Sequence, residues 1–387
     1  MNLLKRGWLL ALVFASIALF GFIAACGSSN KTSTPAGPTA TAAPQANGGI
    51  PACAPASANA ATSLSGAGAT FPNPLYTKWI SEYEKVCGTK INYNSVGSGA
   101  GIQQITAKTV DYGASDGIMS DKQEADAVAA GGAVLHIPMT FAPEAIVYNL
   151  PGVTSGQLKL DGPTLANIFL GNIKKWDDPA IKALNSGVPL SGDIVVAHRS
   201  DGSGTTFIFT NYLSKVSPDW QTKVGFATTV TWPTGVGGAG NDGVAGVVKQ
   251  TPGAIGYVEL AYAKQTSLAI AQMKNKSGNY ITPSLESATA AAVGVTIPAD
   301  GKVLLTDSSN AQAYPVTGFT WVLAYVNAQD AAKGKTLAYY LWWSTHDAQK
   351  LNAALDYASL SPEAVKVAEA LIKSLMCGGA PCIAAGS

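Results

Sequence analysis

The chain has 387 residues, 47% of them hydrophobic, and 25 Lys plus Arg nearly cancel 24 Asp plus Glu to leave a formal charge of +1. A balance this even provides no bulk positive field to hold nucleic acid, so partners must be recognised locally. The three histidines, His136, His198 and His346, are scattered with no ligand spacing, which argues against a metal centre or a bound cofactor.

At the N-terminus, Lys5 and Arg6 precede an apolar run from Trp8 to Phe22, the pattern of a secretory signal. Ile23-Ala24-Ala25-Cys26 follows and resembles the lipobox of bacterial lipoproteins, so residues 1–25 are read as a signal peptide and Cys26 as the acylated first residue of the exported chain. The competing reading is an uncleaved anchor over Met1 to Phe22. A diacylated cysteine with an amide-linked chain carries enough hydrocarbon for stable attachment to the membrane, which places the protein on the extracytoplasmic face of the cell membrane or in a periplasm. From Gly27 to about Thr62 the chain is Ala, Pro, Thr, Ser and Gly without aromatic residues, and residues 26–61 are expected to form a flexible tether. The remaining stretch of roughly 320 residues exceeds the usual size of one core and favours two domains.

Beyond Cys26 four cysteines remain, Cys53, Cys87, Cys377 and Cys382. In an exported chain an even number favours two disulfides, with three connectivities open. The preferred pairing is Cys377 with Cys382, closing the short Gly378-Gly379-Ala380-Pro381 loop, and Cys53 with Cys87.

After the tether, short β-type segments alternate with amphipathic ones. Leu75, Trp79, Tyr83 and Val86 recur near the helical period, and Ile91, Tyr93 and Ser95 alternate with polar neighbours. A helix is expected from about Gly99 to Ala107, a strand around Asp111 to Ser115, and a further helix capped by Ser120 or Asp121. The apolar segment Ala145 to Tyr148, running into Asn149-Leu150-Pro151-Gly152, reads as a crossing between domains. A second α/β unit follows, with a helix from Thr164 to Leu170 ended by Gly171, a strand from Ile194 to Ala197 and a helix from Thr205 to Leu213. A strong strand from Thr317 to Val326 precedes a helical C-terminal part through Trp342, Leu351 and Leu371. This alternation predicts an α/β architecture with largely parallel sheets.

Three loops place small residues and hydroxyls immediately before a helix: Ser65-Gly66-Ala67-Gly68-Ala69-Thr70-Phe71-Pro72, Val96-Gly97-Ser98-Gly99-Ala100-Gly101, and Arg199-Ser200-Asp201-Gly202-Ser203-Gly204-Thr205-Thr206. Glycines there let backbone N–H groups converge, and a helix N-terminus adds partial positive charge, so the natural ligand is an oxyanion. A fourth segment, Asp111-Tyr112-Gly113-Ala114-Ser115-Asp116-Gly117, ends a strand with a carboxylate. Such a group accepts a hydrogen bond only from a ligand that still carries a proton, as phosphate does near neutral pH and sulfate does not.

These segments, G-A-G-A-T-F-P, G-S-G-A-G and V-D-Y-G-A-S-D between Thr62 and Asp121, resemble the phosphate-binding proteins of high-affinity phosphate ABC transporters. So do L-D-G-P-T-L-A-N-I-F-L-G, I-K-K-W-D-D-P-A-I, R-S-D-G-S-G-T-T-F, G-G-A-G-N-D-G and P-G-A-I-G-Y-V-E between Leu160 and Tyr262, and L-D-Y-A-S-L-S-P near Leu355. The resemblance implies a two-lobed periplasmic-binding-protein clamshell of type II, with the ligand in the interdomain cleft and two hinge crossings. Domain one would comprise residues 62–149 and 317–387, and domain two residues 150–316. The resemblance implies that Thr70, Phe71, Ser98, Asp116, Arg199, Ser203, Gly204 and Thr205 bind phosphate. Asp116 would accept the phosphate proton, Arg199 would supply the direct positive charge, and Asp201 would orient Arg199. The implied partners are inorganic phosphate, the permease subunits of an ABC transporter, and the membrane through Cys26, with no nucleic acid and a monomeric chain. Two departures stand out: His198 stands beside the arginine where some relatives have a second arginine, and Gly99 where some have a second serine.

Alternative functions are a binding protein for another oxyanion, for which Asp116 is the discriminating feature, and a secreted phosphatase. The latter needs an activated nucleophile or a metal cluster, for which no defensible residue set is visible. A third is a sensor or surface antigen that keeps the fold without transport. Gly235, Gly237 and Gly240 match G-x-G-x-x-G, but Thr231-Trp232-Pro233-Thr234 before them is not a buried strand, which argues against a dinucleotide site. Trp342-Trp343 is expected to pack on a helix, and Lys174-Lys175 to be a solvated helix end.

Overall fold

The computed structural model describes residues 49–383. The expected signal peptide, the lipidation site Cys26 and the tether as far as residue 48 lie outside the described residues. Among the described residues no helix is long and apolar enough to cross a membrane.

The chain opens with β1 (Ser63–Gly68), α1 (Asn73–Cys87), β2 (Lys90–Ser95), α2 (Ser98–Thr106), β3 (Tyr112–Ser115), α3 (Asp121–Gly131) and the long β4 (Val134–Asn149). The middle of the chain supplies α4 (Gly162–Phe169), β5 (Val195–Arg199), α5 (Gly204–Val216), β6 (Val236–Gly238), α6 (Gly240–Gln250), β7 (Ala254–Glu259) and β8 (Ala269–Ile270). It closes with β9 (Thr317–Tyr325), α7 (Ala331–Thr345) and α8 (Pro362–Lys373). These nine strands form one sheet in the order β2-β1-β3-β9-β4-β7-β5-β6, with β8 also on β4. A small separate sheet joins residues 159–160, 272–274 and 280–281.

The sheet is mixed, where a largely parallel one was expected. The outer pairs β1–β2, β1–β3, β5–β7 and β5–β6 are parallel, but β9 runs antiparallel to both β3 and β4, and β4 runs antiparallel to β7. β4 changes partner along its length: Val134–Pro143 pairs with β9, and Glu144–Asn149 pairs with β7. Its backbone is continuous through the change, where Glu144 N–H donates to Val316 O at 2.8 Å. The two halves of the sheet thus meet at two adjacent passages of the chain, which gives the two-lobed architecture its hinge.

Local chemistry explains the elements that carry the site. In α1, Pro74 sits in the first turn, where a missing N–H costs nothing. Leu75, Tyr76, Trp79 and Tyr83 all turn inward, and Gly88 at φ 68° stops the helix by donating to Glu84 O. Tyr83 meets Tyr340 and Trp343 of α7 at ring-centroid distances of 5.1 and 5.2 Å, so the Trp342-Trp343 pair is core, as expected. The second half is built around Tyr257, which stacks on Phe209 at 4.1 Å. Of the two caps expected for α3 the structure uses Ser120, in a reciprocal capping box with Gln123. Lys174 and Lys175 are exposed in the loop after α4 rather than at a helix end, and buried Trp176 pins that loop through a bond to Gly253 O.

One expectation is corrected. Residues 49–61, read as part of the tether, are held against the first lobe. Ile50 and Ala52 are buried, Lys335 and Thr336 of α7 donate to Ala58 O and Ala61 O, and Ala61 N–H donates to Ala332 O. Cys53 bonds Cys87 at the end of α1, with a Cα separation of 5.4 Å, and Cys377 bonds Cys382 at 4.9 Å. Composition argued for disorder because it lacked aromatic residues, but the cross-link to Cys87 and the hydrogen bonds to α7 order the segment instead.

Candidate anion site

All four loops converge where the two halves of the sheet face each other. The first leaves β1 at Gly68, whose φ of 146° and close approach to Ala114 O (an added Cβ would lie 2.0 Å away) admit glycine alone. That turn delivers Thr70. Its hydroxyl oxygen accepts from Asn241 N at 3.2 Å and Asn241 Nδ2 at 2.8 Å, and its carbonyl accepts from Tyr262 OH. Phe71 is buried, with its ring edge-on to Tyr357 and its carbonyl accepting from Tyr357 OH at 2.7 Å.

In the second loop Val96 and Gly97 both donate to Gly68 O, which ties it to the first. Ser98 then opens α2. Its oxygen accepts from Gly204 N at 2.9 Å and Asp116 N at 3.3 Å, and its proton is 3.4 Å from Asp116 Oδ2 by donor distance. Asp116, at the end of β3, is 1% exposed, and its Oδ1 has no partner among the described residues. Burial pushes its carboxyl up to about 7, against the opposing pull of the Thr320 hydroxyl, Arg199 and Ser98.

From the other side β5 delivers Arg199, also buried. Its Nε donates to Asp201 Oδ1 at 2.8 Å, its Nη2 to Asp201 Oδ2, and its Nη1 to Thr205 Oγ1 at 3.4 Å. Burial works to raise the Asp201 carboxyl, but the guanidinium fork and the Gly240 N–H overcome it and hold the group below its ordinary value. Ser203 caps α5 by accepting from Thr206 N at 3.1 Å, and Gly204 lies against Asp116, where an added Cβ would be 2.4 Å from Asp116 Cβ. Thr70, Ser98, Asp116, Asp201, Arg199, Ser203, Gly204 and Thr205 therefore stand together, and Phe71 contributes from behind through backbone and ring.

The hydrogen-bond directions fix what such a site can hold. A hydroxyl has two acceptor positions and one proton. Thr70 Oγ1 accepts twice from Asn241, and Thr205 Oγ1 accepts from Arg199 Nη1 and from Asn241 Nδ2 at 3.2 Å. Both hydroxyls thus have their lone pairs occupied and a proton to offer. At the starts of α2 and α5 the N–H groups of Ser98 and Thr205 lack intrahelical acceptors and add further donors, whereas those of Gly99, Gly204 and Thr206 are spent on Gly202 O, Ser98 Oγ and Ser203 Oγ. Beside this donor array stands the Asp116 carboxyl, with Oδ2 toward Ser98 and Gly204 and with Oδ1 unpartnered among the described residues. A tetrahedral oxyanion bearing at least one proton satisfies both.

Asn241 was missed in the sequence, although it belongs to G-G-A-G-N-D-G, which has the same small-residue, strand-to-helix form as the other loops. It ties Thr70 to Thr205 and accepts from Glu259 N at 3.0 Å. The G-x-G-x-x-G match is this same turn: β6 ends at Gly238, α6 begins at Gly240, and Gly240 N–H is spent on Asp201. Tyr262, Tyr257 and Tyr357 were also missed. His198 turns away from the site, stacked on Trp232 at 4.8 Å with Nδ1 on Arg199 O, and burial lowers its proton affinity, so it remains neutral near pH 7. Gly99 faces Gly202, where an added Cβ would lie 3.0 Å from Gly202 Cα; a serine there would push the two lobes apart.

Residues 54–344 match a family model described as a PBP superfamily domain. The phosphate-binding protein PstS of Pasteurella multocida is 46% identical over 317 residues, covering 81% of this chain and 91% of that protein. The phosphate-binding protein PstS of Haemophilus influenzae is 44% identical over 308 residues, covering 79% and 91%. Among solved structures, a high-affinity periplasmic phosphate-binding protein with phosphate bound aligns with a TM-score of 0.66 at 22% identity, covering 82% of this chain and 96% of that one. This last similarity bears on the fold.

Proposed function

We propose a function on the premise that this chain belongs to the PBP superfamily and, within it, to the phosphate-binding proteins of phosphate ABC transporters. It binds inorganic phosphate and delivers it to an ABC-type import permease. In our reading the lobes divide within β4 near Pro143 and again before Thr317, refining a division into residues 62–149 with 317–387 and residues 150–316. Phosphate sits between them, held by the protons of Thr70, Ser203 and Thr205, by the N–H groups of Phe71, Ser98 and Thr205, and by the charge of Arg199, while Gly204 and the Ser98 hydroxyl, bonded to each other, close the wall beside Asp116. Asp201 keeps the guanidinium in place, and Asp116 accepts the proton that phosphate retains. We read the protein as a monomeric, non-catalytic carrier, exported and anchored through a lipid on Cys26.

The observation that carries the phosphate reading is the pairing of a one-directional donor array with the unpartnered Asp116 Oδ1. Sulfate presents an acceptor to that oxygen and leaves a buried charge without its hydrogen bond, a loss of about 1–3 kcal/mol or more. Calorimetric titration with phosphate and sulfate tests it: phosphate binds at about micromolar or tighter, and sulfate at least about tenfold more weakly. Equal affinities refute the reading. A chromogenic phosphate ester in the same preparation checks the non-catalytic part, since turnover above the buffer rate contradicts it.

A further inference from the structure

We propose that Glu144 is a further determinant of anion affinity: a buried carboxyl group behind the site that must carry its own proton while the anion is held. The proposal rests on the phosphate reading. Glu144 of β4 and Glu259 of β7 stand directly opposite in an antiparallel ladder, so their side chains leave the same face of the sheet. Tyr257, two residues before Glu259, shares that face, and its hydroxyl reaches Arg199 N at 3.2 Å and Thr206 Oγ1 at 2.7 Å. The face thus backs directly onto the α5 end of the site. Both glutamates are fully buried.

They are not equivalent. Glu259 Oε1 accepts from Ala261 N at 2.9 Å and its Oε2 lies 2.9 Å from Tyr357 OH, whose one proton is shared with Phe71 O; burial pushes the Glu259 carboxyl well up, and these two contacts oppose it. Neither oxygen of Glu144 has a partner among the described residues. Two facing buried carboxyls do not both ionise, and the one without donors keeps the proton. The charged and titratable groups around Glu144 are Glu259 and Tyr257 of β7, Asp116 at the end of β3, Arg199 at the end of β5, and Tyr314 before β9. Burial, Asp116 and Glu259 all favour the neutral acid, and Arg199 opposes them. A bound phosphate adds negative charge to this set and tightens the proton on Glu144. By linkage, binding then takes up a proton once the pH approaches the ionisation of Glu144 in the empty protein. Affinity falls as pH rises through that range, by up to about tenfold per pH unit.

The test uses the full-length chain in detergent and its Glu144→Gln variant, which is permanently neutral and nearly the same shape. Inorganic phosphate is titrated from pH 6 to 10 by tryptophan fluorescence, and proton uptake is read by calorimetry in two buffers of different ionisation enthalpy. Expected are affinities within about threefold of each other at pH 6–7. As the pH rises the wild type weakens relative to the variant, and its proton uptake is absent from the variant. Superimposable profiles overturn the proposal. Should the variant not fold, Glu144→Met, neutral at every pH, takes its place in the same titrations, and superimposable profiles again overturn the proposal. If the wild type binds no phosphate at any pH, it is the phosphate reading that fails.

Discussion

Sulfate affinity as a function of pH isolates the role of Asp116, because sulfate does not titrate in the working range and phosphate does. With its ionisation near 7, Asp116 is neutral below that pH and can donate its own proton to sulfate. Above it the bare carboxylate faces a sulfate oxygen with nothing to share. Wild-type sulfate affinity is therefore expected to be flat below about pH 6 and to fall with rising pH by close to tenfold per unit. The fall stops when the full penalty is reached; about 1–3 kcal/mol corresponds to roughly fivefold to 150-fold. Asp116→Asn, which donates at every pH, should show a flat profile near the wild-type acidic plateau. Competition against phosphate by tryptophan fluorescence between pH 5 and 9 measures both. A variant that rejects sulfate as strongly as the wild type at pH 9, or a wild-type profile without slope, refutes the assignment of Asp116 as the proton sensor. The same shift has a stability corollary. The folded protein binds the Asp116 proton more tightly than the unfolded chain, so this group destabilises the ligand-free protein as pH rises from about 4 to about 7, by at most about 4 kcal/mol. Asp116→Asn should then raise the melting temperature of the ligand-free protein at pH 8 and leave it little changed at pH 4.

Gly204→Ala places a methyl group 2.4 Å from Asp116 Cβ and should hold the lobes apart, weakening phosphate at least about a hundredfold while thermal stability changes little. A larger radius of gyration in the presence of phosphate checks the cause, and an unchanged dissociation constant rejects it. Asn241→Ala removes the amide that fills lone pairs on Thr70 and Thr205 and strands the Glu259 N–H, which should weaken phosphate by about 1–3 kcal/mol. Calorimetry reads this directly, and a loss below threefold contradicts the donor-array account.

Much of this site was legible because its chemistry is local. A glycine-flanked hydroxyl before a helix declares its donors in three or four consecutive residues, and the loops that hold Thr70, Ser98 and the Arg199–Thr205 run were picked out that way, while the part expected of each residue came from the family resemblance. Cysteine parity pointed to two disulfides but left three connectivities open, of which the preferred one is the one the structure has. What escaped depends on register. Glu144 and Glu259 are separated by more than a hundred residues and become a pair only through the β4–β7 ladder; Tyr257 and Tyr262 act through hydroxyls whose partners, Arg199, Thr206 and Thr70, lie far off in the sequence. The ordering of residues 49–61 escaped because composition reports what a segment does alone, and Cys53 does not leave it alone. The mixed sheet was misjudged for a related reason: alternation along the chain describes neighbours in sequence, while β9 joins neighbours in space from opposite ends of the fold.

β9 also dictates an order of assembly. It is an interior strand of the first half-sheet, wedged between β3 and β4, yet it is made after the whole intervening segment that forms the second half. During synthesis β3 and β4 present unpaired edges to each other across an empty lane, a state that invites wrong pairings. The interior segment, with β5, β6 and β7 close together in sequence, has no such wait and can condense first. A truncated chain ending before Thr317 would consequently lack a functional first lobe altogether, even though it contains most of that lobe's residues.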